Sequence, residues 1–261
     1  MEKNLIKYDL KKMFNILIIF YILSIVLGGI ARIFAIFDNI TFFNILKIIF
    51  ASLTYAVWGN IIVHTFVQII MRFNKNFYGD ESYLTHTLPV TKKQLLISKY
   101  ISSLIVVLSS ILVLLLSVFI MFYSKENMTN LKAMLDASIS GFNISATTFV
   151  ILIAITLFTQ ICAIISISFA GVVIGKRFNT KKNIKSLIFI FAFYISSIIL
   201  TLIFAILMAL CMGDVGMLFS NAISSNLLIG LLILAIVCYV LYAIIFFFIT
   251  KWQFEKGVNV D

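Results

Sequence analysis

The sequence predicts an all-α integral membrane protein with six transmembrane helices, and three observations predict it. Of 261 residues, 62% are hydrophobic and only 11% charged, against roughly 25% charged in a soluble domain. Six apolar stretches, at about 14–37, 48–71, 95–123, 147–174, 186–212 and 226–250, reach the roughly 20 residues that a helix needs to cross a hydrocarbon core of about 30 Å. The segments between them alternate between rich and poor in Lys and Arg. Proline occurs once, at Pro89, and nothing reads as a linker, disordered tail or repeat. A single transmembrane domain over 1–261 is the expected organisation.

The chain begins with an amphipathic stretch over 2–13. Leu5, Ile6, Leu10 and Met13 recur at helical spacing, with Lys3, Lys7, Lys11 and Lys12 between them. Such a helix suits an anionic membrane surface before the chain turns into the first span; the plainer reading is a basic topology signal. The run over 14–37 exceeds the roughly 7–15 apolar residues of a signal peptide, and no small-residue cleavage site follows, so it is expected to stay as a span.

Orientation follows from the basic residues. The N-terminal segment has four, 72–99 has five (Arg72, Lys75, Lys92, Lys93, Lys99), 175–185 has five (Lys176, Arg177, Lys181, Lys182, Lys185) and the C-terminal segment two (Lys251, Lys256). The opposite face has three, Lys47, Lys125 and Lys132, with Arg32 near the outer end of the first span. The positive-inside rule then places both termini in the cytoplasm. The formal charge of +10 is spread in short clusters between spans, which argues against a nucleic-acid surface.

Several chemistries are excluded. Gly171-Val-Val-Ile-Gly175-Lys-Arg177 has three residues between its glycines and Arg after the Lys, where a phosphate-binding loop needs four and then Ser or Thr. His64 and His86 form no H-E-x-x-H motif, Gly213-Asp214 lacks the preceding glycine of intramembrane aspartyl proteases, and Ser138-Ile-Ser-Gly141 lacks the first glycine of a G-x-S-G site. Cys162, Cys211 and Cys238 lie in or beside apolar runs without C-x-x-C spacing and read as packed thiols. No catalytic residue and no metal site emerge.

Ionisable residues are nearly absent from the span interiors, which disfavours ion-coupled transport. Asn60, His64 and Gln68 share one face of the second span, and Gln160 lies near Thr156 and Thr159 on the fourth. These four are candidates for lining a pathway; the alternative is interhelical hydrogen bonding. Ser196, Ser197 and Thr201 on the fifth span read as packing residues.

The 72–94 loop carries the other pattern. Gly79 permits a turn, Asp80 can cap a short helix, and Pro89 stops it. Tyr83, Leu84, Thr87 and Leu88 then share a face as an apolar ridge, either a docking knob or a surface packed on its own bundle. Thr91-Lys-Lys-Gln94 has the form of a capping box for the third span.

The segment Phe77-Tyr-Gly-Asp-Glu-Ser-Tyr-Leu-Thr-His-Thr-Leu-Pro-Val-Thr91, with Leu95 and Ser98-Lys99, resembles the D-E-G-Y-L-x-x-T-L-P-V pattern between spans two and three of the ABC-2 type transporter permeases, in particular the small six-span permeases of Gram-positive bacteria. Ser82 stands where that family often has Gly. The six-span plan, amphipathic start and basic loops extend the resemblance loosely to the whole chain. It implies a type V exporter-like fold in a bacterial plasma membrane, with 2–13 as an elbow helix and 215–226 as short outer helices. It also implies a coupling helix over 80–88, in which Asp80, Glu81, Tyr83, Leu84, Thr87 and Leu88 engage a cytoplasmic ABC ATPase.

The implied partners are that ATPase, which would bind ATP and Mg, a second permease chain in a homo- or heterodimer, and membrane lipids. This chain would be no enzyme by itself, although its complex would be a translocating ATPase. The implied cargo is an amphipathic peptide or similar hydrophobic molecule such as a toxin, bacteriocin or antimicrobial, for secretion or for resistance. The residues also leave room for an ATP-independent transporter or channel, and for a membrane-embedded enzyme or assembly factor.

Overall fold

A computed structural model describes residues 2–37, 39–79, 81–87, 89–140, 145–178, 180–212, 216 and 224–256. Among the described residues the regular elements are eight helices: α1 (Glu2–Ile36), α2 (Thr41–Tyr78), α3 (Ser82–Thr87), α4 (Lys92–Phe122), α5 (Lys125–Ser140), α6 (Ala146–Gly175), α7 (Lys182–Met212) and α8 (Ser225–Glu255). Six of them, all but α3 and α5, are long and apolar enough to cross a membrane. The all-helical six-span expectation therefore holds. The helices outrun the apolar windows that announced them. At 38 residues and 1.5 Å per residue, α2 is about 57 Å long, nearly twice the ~30 Å hydrocarbon core. Hydropathy ends at the first charges, but the i→i−4 hydrogen bonds do not.

One expectation is corrected, and one element is new. Residues 2–13 are helical, but they run unbroken into the first span as the first turns of α1 and form no separate elbow. The sequence there holds neither Gly nor Pro to break the hydrogen-bond ladder. The connection after the third span contains a helix, α5, that hydropathy did not disclose because it is polar. Ser124 begins it by accepting from the Asn127 amide at 3.0 Å, a side-chain cap. Most of 215–226, and with it the expected outer helices, lies outside the described residues.

The chain divides into two compact units, Met1–Asn130 and Leu131–Asp261. In the first, α1 packs along both α2 and α4. Its core is apolar, with Leu17, Ile61, Phe73, Phe77 and Val106 all but fully buried, and threaded by small hydroxyls. The Tyr21 hydroxyl is 2.6 Å from Ser110 Oγ, which is 2.8 Å from Thr65 Oγ1. Trp58 Nε1 donates to Ser117 Oγ at 2.9 Å, and Ser117 Oγ donates to the Ser24 carbonyl at 3.0 Å. Ser103, Ser110 and Ser117, seven residues apart and all buried, form one stripe of α4. The large aliphatic side chains Ile18, Ile19, Leu112 and Leu115 are exposed. This inside-out distribution is what a lipid solvent selects, since burying Leu away from hydrocarbon gains little and small polar residues let helices approach and bond.

In the second unit α6 is central, packed on α7 and α8. Gly171 and Gly175 are a G-x-x-x-G pair that lets α7 approach the backbone of α6. A Cβ on Gly171 would lie 2.7 Å from the Ile190 backbone nitrogen, and one on Gly175 would run into the backbone of Ser186. Ser186 Oγ also reaches the Val172 carbonyl at 3.3 Å. On the α8 side Ala163, Cys238 and Tyr242 form a cluster with Leu234, Tyr239 and Phe246. Ser145 and Ser224 cap α6 and α8 by accepting from Thr148 and Leu227 amides.

Gly175→Ala should therefore destabilise the protein by about 1–3 kcal/mol, the range for overpacking. Gly29, with nothing within 4 Å of an added Cβ, should accept Ala with no loss and a gain of up to about 1 kcal/mol. Thermal unfolding in detergent of the two variants measures the difference; equal behaviour would show that the close α6–α7 contact is absent.

Candidate functional site

The chemistry that the spans lack is gathered at one end of the first unit, where α1, α2 and α4 meet the connection holding α3. Asp9 is the centre. It falls four residues before Met13 and eight before Leu17, on the face of α1 that packs inward, and it is only 1% exposed. Its Oδ1 accepts from Arg72 Nε at 2.8 Å and from Asn76 Nδ2 at 3.1 Å, and its Oδ2 pairs with Lys99 Nζ. Arg72 and Asn76 are one turn apart on the C-terminal part of α2, and Lys99 lies two turns into α4. One carboxylate thus ties three helices together.

Glu81 extends the network toward α3. Arg72 Nη1 donates to Glu81 Oε2 at 2.7 Å, and Lys12 Nζ donates to Glu81 Oε1 at 2.6 Å. Arg72 and Lys12 also sit over the Tyr8 ring, 5.1 and 4.8 Å from its centroid. A cavity of about 230 Å³ adjoins the cluster, lined by Leu5, Tyr8, Thr85 and Leu95 beside the charged groups.

The energetics decide what such a cluster is for. Each buried charge costs several kcal/mol to desolvate, so the pairs add little net stability over an apolar core. They add geometry, because a guanidinium with two carboxylates on separate nitrogens has little freedom. Burial alone would raise the Glu81 carboxyl's pKa; the Lys12 hydrogen bond, with the charge and hydrogen bond of Arg72, outweighs it and holds the group below its ordinary value.

Local sequence sets α3 beside this cluster. The Ser82 amide donates to the Gly79 carbonyl at 2.9 Å, and Thr85 donates to the Glu81 carbonyl through its amide at 3.0 Å and its hydroxyl at 2.8 Å. The expected capping box is present: Gln94 N donates to Thr91 Oγ1 at 3.3 Å and Thr91 N to Gln94 Oε1 at 3.0 Å. Of the six residues assigned to ATPase coupling, Tyr83 is 77% exposed, Thr87 is exposed, and Glu81 faces inward onto Lys12 and Arg72. Asp80, Leu88 and the side chain of Leu84 lie outside the described residues.

Three of the pathway candidates fall in the first unit and one in the second. Asn60 is exposed and donates to the Ala56 carbonyl of its own helix at 2.9 Å. His64 stacks on Phe20 of α1, with ring centroids 4.6 Å apart. Gln68 lines a cavity with Lys12 and Arg72. Gln160 belongs to the second unit and lines a cavity of about 150 Å³ there with Tyr194, Ser197, Thr201, Tyr239 and Tyr242.

Asp9, Asn76 and the pairing roles of Arg72 and Lys99 were not anticipated from the sequence. The signal available was an acid on the apolar stripe of a basic, amphipathic helix, since a carboxylate that packs inward needs a cation opposite it. Among the described residues no group of His, Cys, Asp or Glu is arranged to hold a metal.

Fold and site define a multi-pass helical membrane protein whose buried ionic cluster sits at one end of its first three spans. The family follows from the sequence as a whole: residues 4–223 match the family model described as ABC-2 family transporter protein, and the chain belongs to that family of membrane transport components. Neither the curated proteins nor the solved structures include one that matches it.

Asp9→Asn puts a neutral amide where Arg72 and Lys99 share a carboxylate, leaving Arg72 with Glu81 alone and Lys99 buried beside no carboxylate among its ion-pair partners. It should cost about 3–5 kcal/mol, and adding Lys99→Met should recover part of the loss; thermal unfolding of single and double variants checks both. Glu81 gives a pH dependence. Because its folded pKa lies below the unfolded value, its stabilisation of α3 is present above the ordinary glutamate range and is lost as pH falls through the lowered value. Protection factors at the α3 amides, exchange rates corrected for the intrinsic pH dependence of exchange, should fall over that acidic window in the wild-type protein. In Glu81→Gln, protection should be low already at neutral pH and should lack that step.

Proposed function

We propose that the chain is the membrane-spanning subunit of an ATP-binding cassette exporter, inert without a separate ATPase that binds ATP and Mg. Family membership implies partnership with an ABC ATPase. The observation that carries the finer reading is the pairing of an exposed aromatic knob, Tyr83 on α3, with an ionic linkage from the head of α3 directly into α1 and α2 and through Asp9 to α4. ATPase closure against α3 would load Glu81, Glu81 would pull on Arg72 and Lys12, and Arg72 would pull on Asp9 and through it Lys99. An inward push would in this way become a shared displacement of α1, α2 and α4. Both termini lie in the cytoplasm in this reading, supported by the distribution of Lys and Arg.

Two permease chains would complete the pathway. The cargo is an amphipathic peptide or a comparable hydrophobic molecule, a reading supported by span interiors that offer hydroxyls, amides and aromatic rings and few charges.

Tyr83→Ala should weaken association with the ATPase by about tenfold, the scale of an aromatic interface anchor. It should leave the thermal stability of the permease unchanged, because that ring is exposed. Co-purification of the two subunits and ATP hydrolysis by the reconstituted complex test this; unchanged association together with unchanged stimulation would exclude α3 as the docking element.

A further inference from the structure

A second cavity, of about 350 Å³, opens between α1 and α2 on the other side of Arg72. Its rim carries three cations, Lys12, Arg72 and Lys75, against one carboxylate, Glu81, with the amides of Asn15 and Gln68 between them. Lys75 is exposed and forms no ion pair among the described residues. Its floor is apolar, with Ile16 and Met71 at the edge, 42% and 44% exposed.

The position of this cavity along the helices matters more than its size. On α1 the N-terminal basic cluster ends at Lys12, and exposed Ile16, Ile18 and Ile19 follow. On α2 exposed Val67 and Met71 give way to Arg72 and Lys75. Both helices change from lipid-type to water-type surface at the cavity, so it straddles the boundary between hydrocarbon and head groups. An occupant must be anionic at one end and apolar at the other, and it must approach from the bilayer. We infer that this cavity is a binding site for the phosphate head group of an anionic membrane phospholipid, with Lys75 supplying the positive charge that the ion-paired Lys12 and Arg72 beside it do not, Asn15 and Gln68 donating to the phosphate oxygens, and the acyl chains lying along Ile16 and Met71.

The full chain, exchanged into micelles containing equal amounts of phosphatidylglycerol and phosphatidylcholine, provides the test, with retained lipid per chain quantified by mass spectrometry. The wild-type chain should retain phosphatidylglycerol in preference. Lys75→Gln should raise the phosphatidylglycerol concentration needed for half-occupancy about fivefold, as loss of one near-surface cation does. Gln68→Leu should also weaken retention, although it changes no charge. Lys3→Gln, which removes a cation from the same end of α1 outside the cavity, should leave retention unchanged. Equal retention of the two lipids, or an equal loss in Lys3→Gln and Lys75→Gln, would overturn the site. Displacement of the lipid by millimolar inorganic phosphate alone would show instead a site for a soluble anion.

Discussion

A single buried carboxylate holds the first unit in register. Asp9 accepts from α2 through Arg72 and Asn76 and from α4 through Lys99, so the three helices cannot slide independently without stranding a charge in a poorly solvated place. Packing alone would not impose this. Ile, Leu and Phe gain little from contact with one another over contact with lipid, and the hydroxyl stripe of Ser103, Ser110 and Ser117 sets how closely α4 approaches its neighbours more than how far along it sits. The ion cluster supplies what the apolar interior lacks, a position along the axis.

The two units solve the packing problem differently. In the first, hydroxyl side chains bridge between helices, as Tyr21, Ser110 and Thr65 do. In the second, glycine removes the side chain altogether at Gly171 and Gly175, and α7 comes against the α6 backbone. The second unit carries no comparable buried ion pair among the described residues. The polar groups lining its cavity are neutral, Gln160, Ser197, Thr201 and three tyrosines. The two units therefore have different chemical characters, one with an ionic junction beside α3 and the other with a neutral, aromatic cavity.

The span plan was legible because hydropathy is a one-dimensional property: each apolar run had to be a helix, and each was. The capping box at Thr91 and Gln94 was legible for the same reason, being local. Residues 2–13 were read as helix correctly, but their continuity with α1 was not, because amphipathicity says nothing about a bend. The ion cluster was out of reach because Arg72 and Lys99 lie 63 and 90 positions from Asp9, and a Lys or Arg near a span end has an obvious topological explanation that conceals a structural one. Gly171 and Gly175 were seen but tested against the wrong motif. Their spacing fails for phosphate and suits a helix–helix contact.

In the proposed mechanism α3 is connected to α4 through Glu81, Arg72, Asp9 and Lys99, although Glu81 and Lys99 share no direct bond. A double-mutant cycle between Glu81→Gln and Lys99→Met, read as unfolding free energy in mixed micelles, tests it most directly. Linkage predicts non-additivity of about 0.5 kcal/mol or more; additivity within about 0.3 kcal/mol, the behaviour of independent sites, would contradict it.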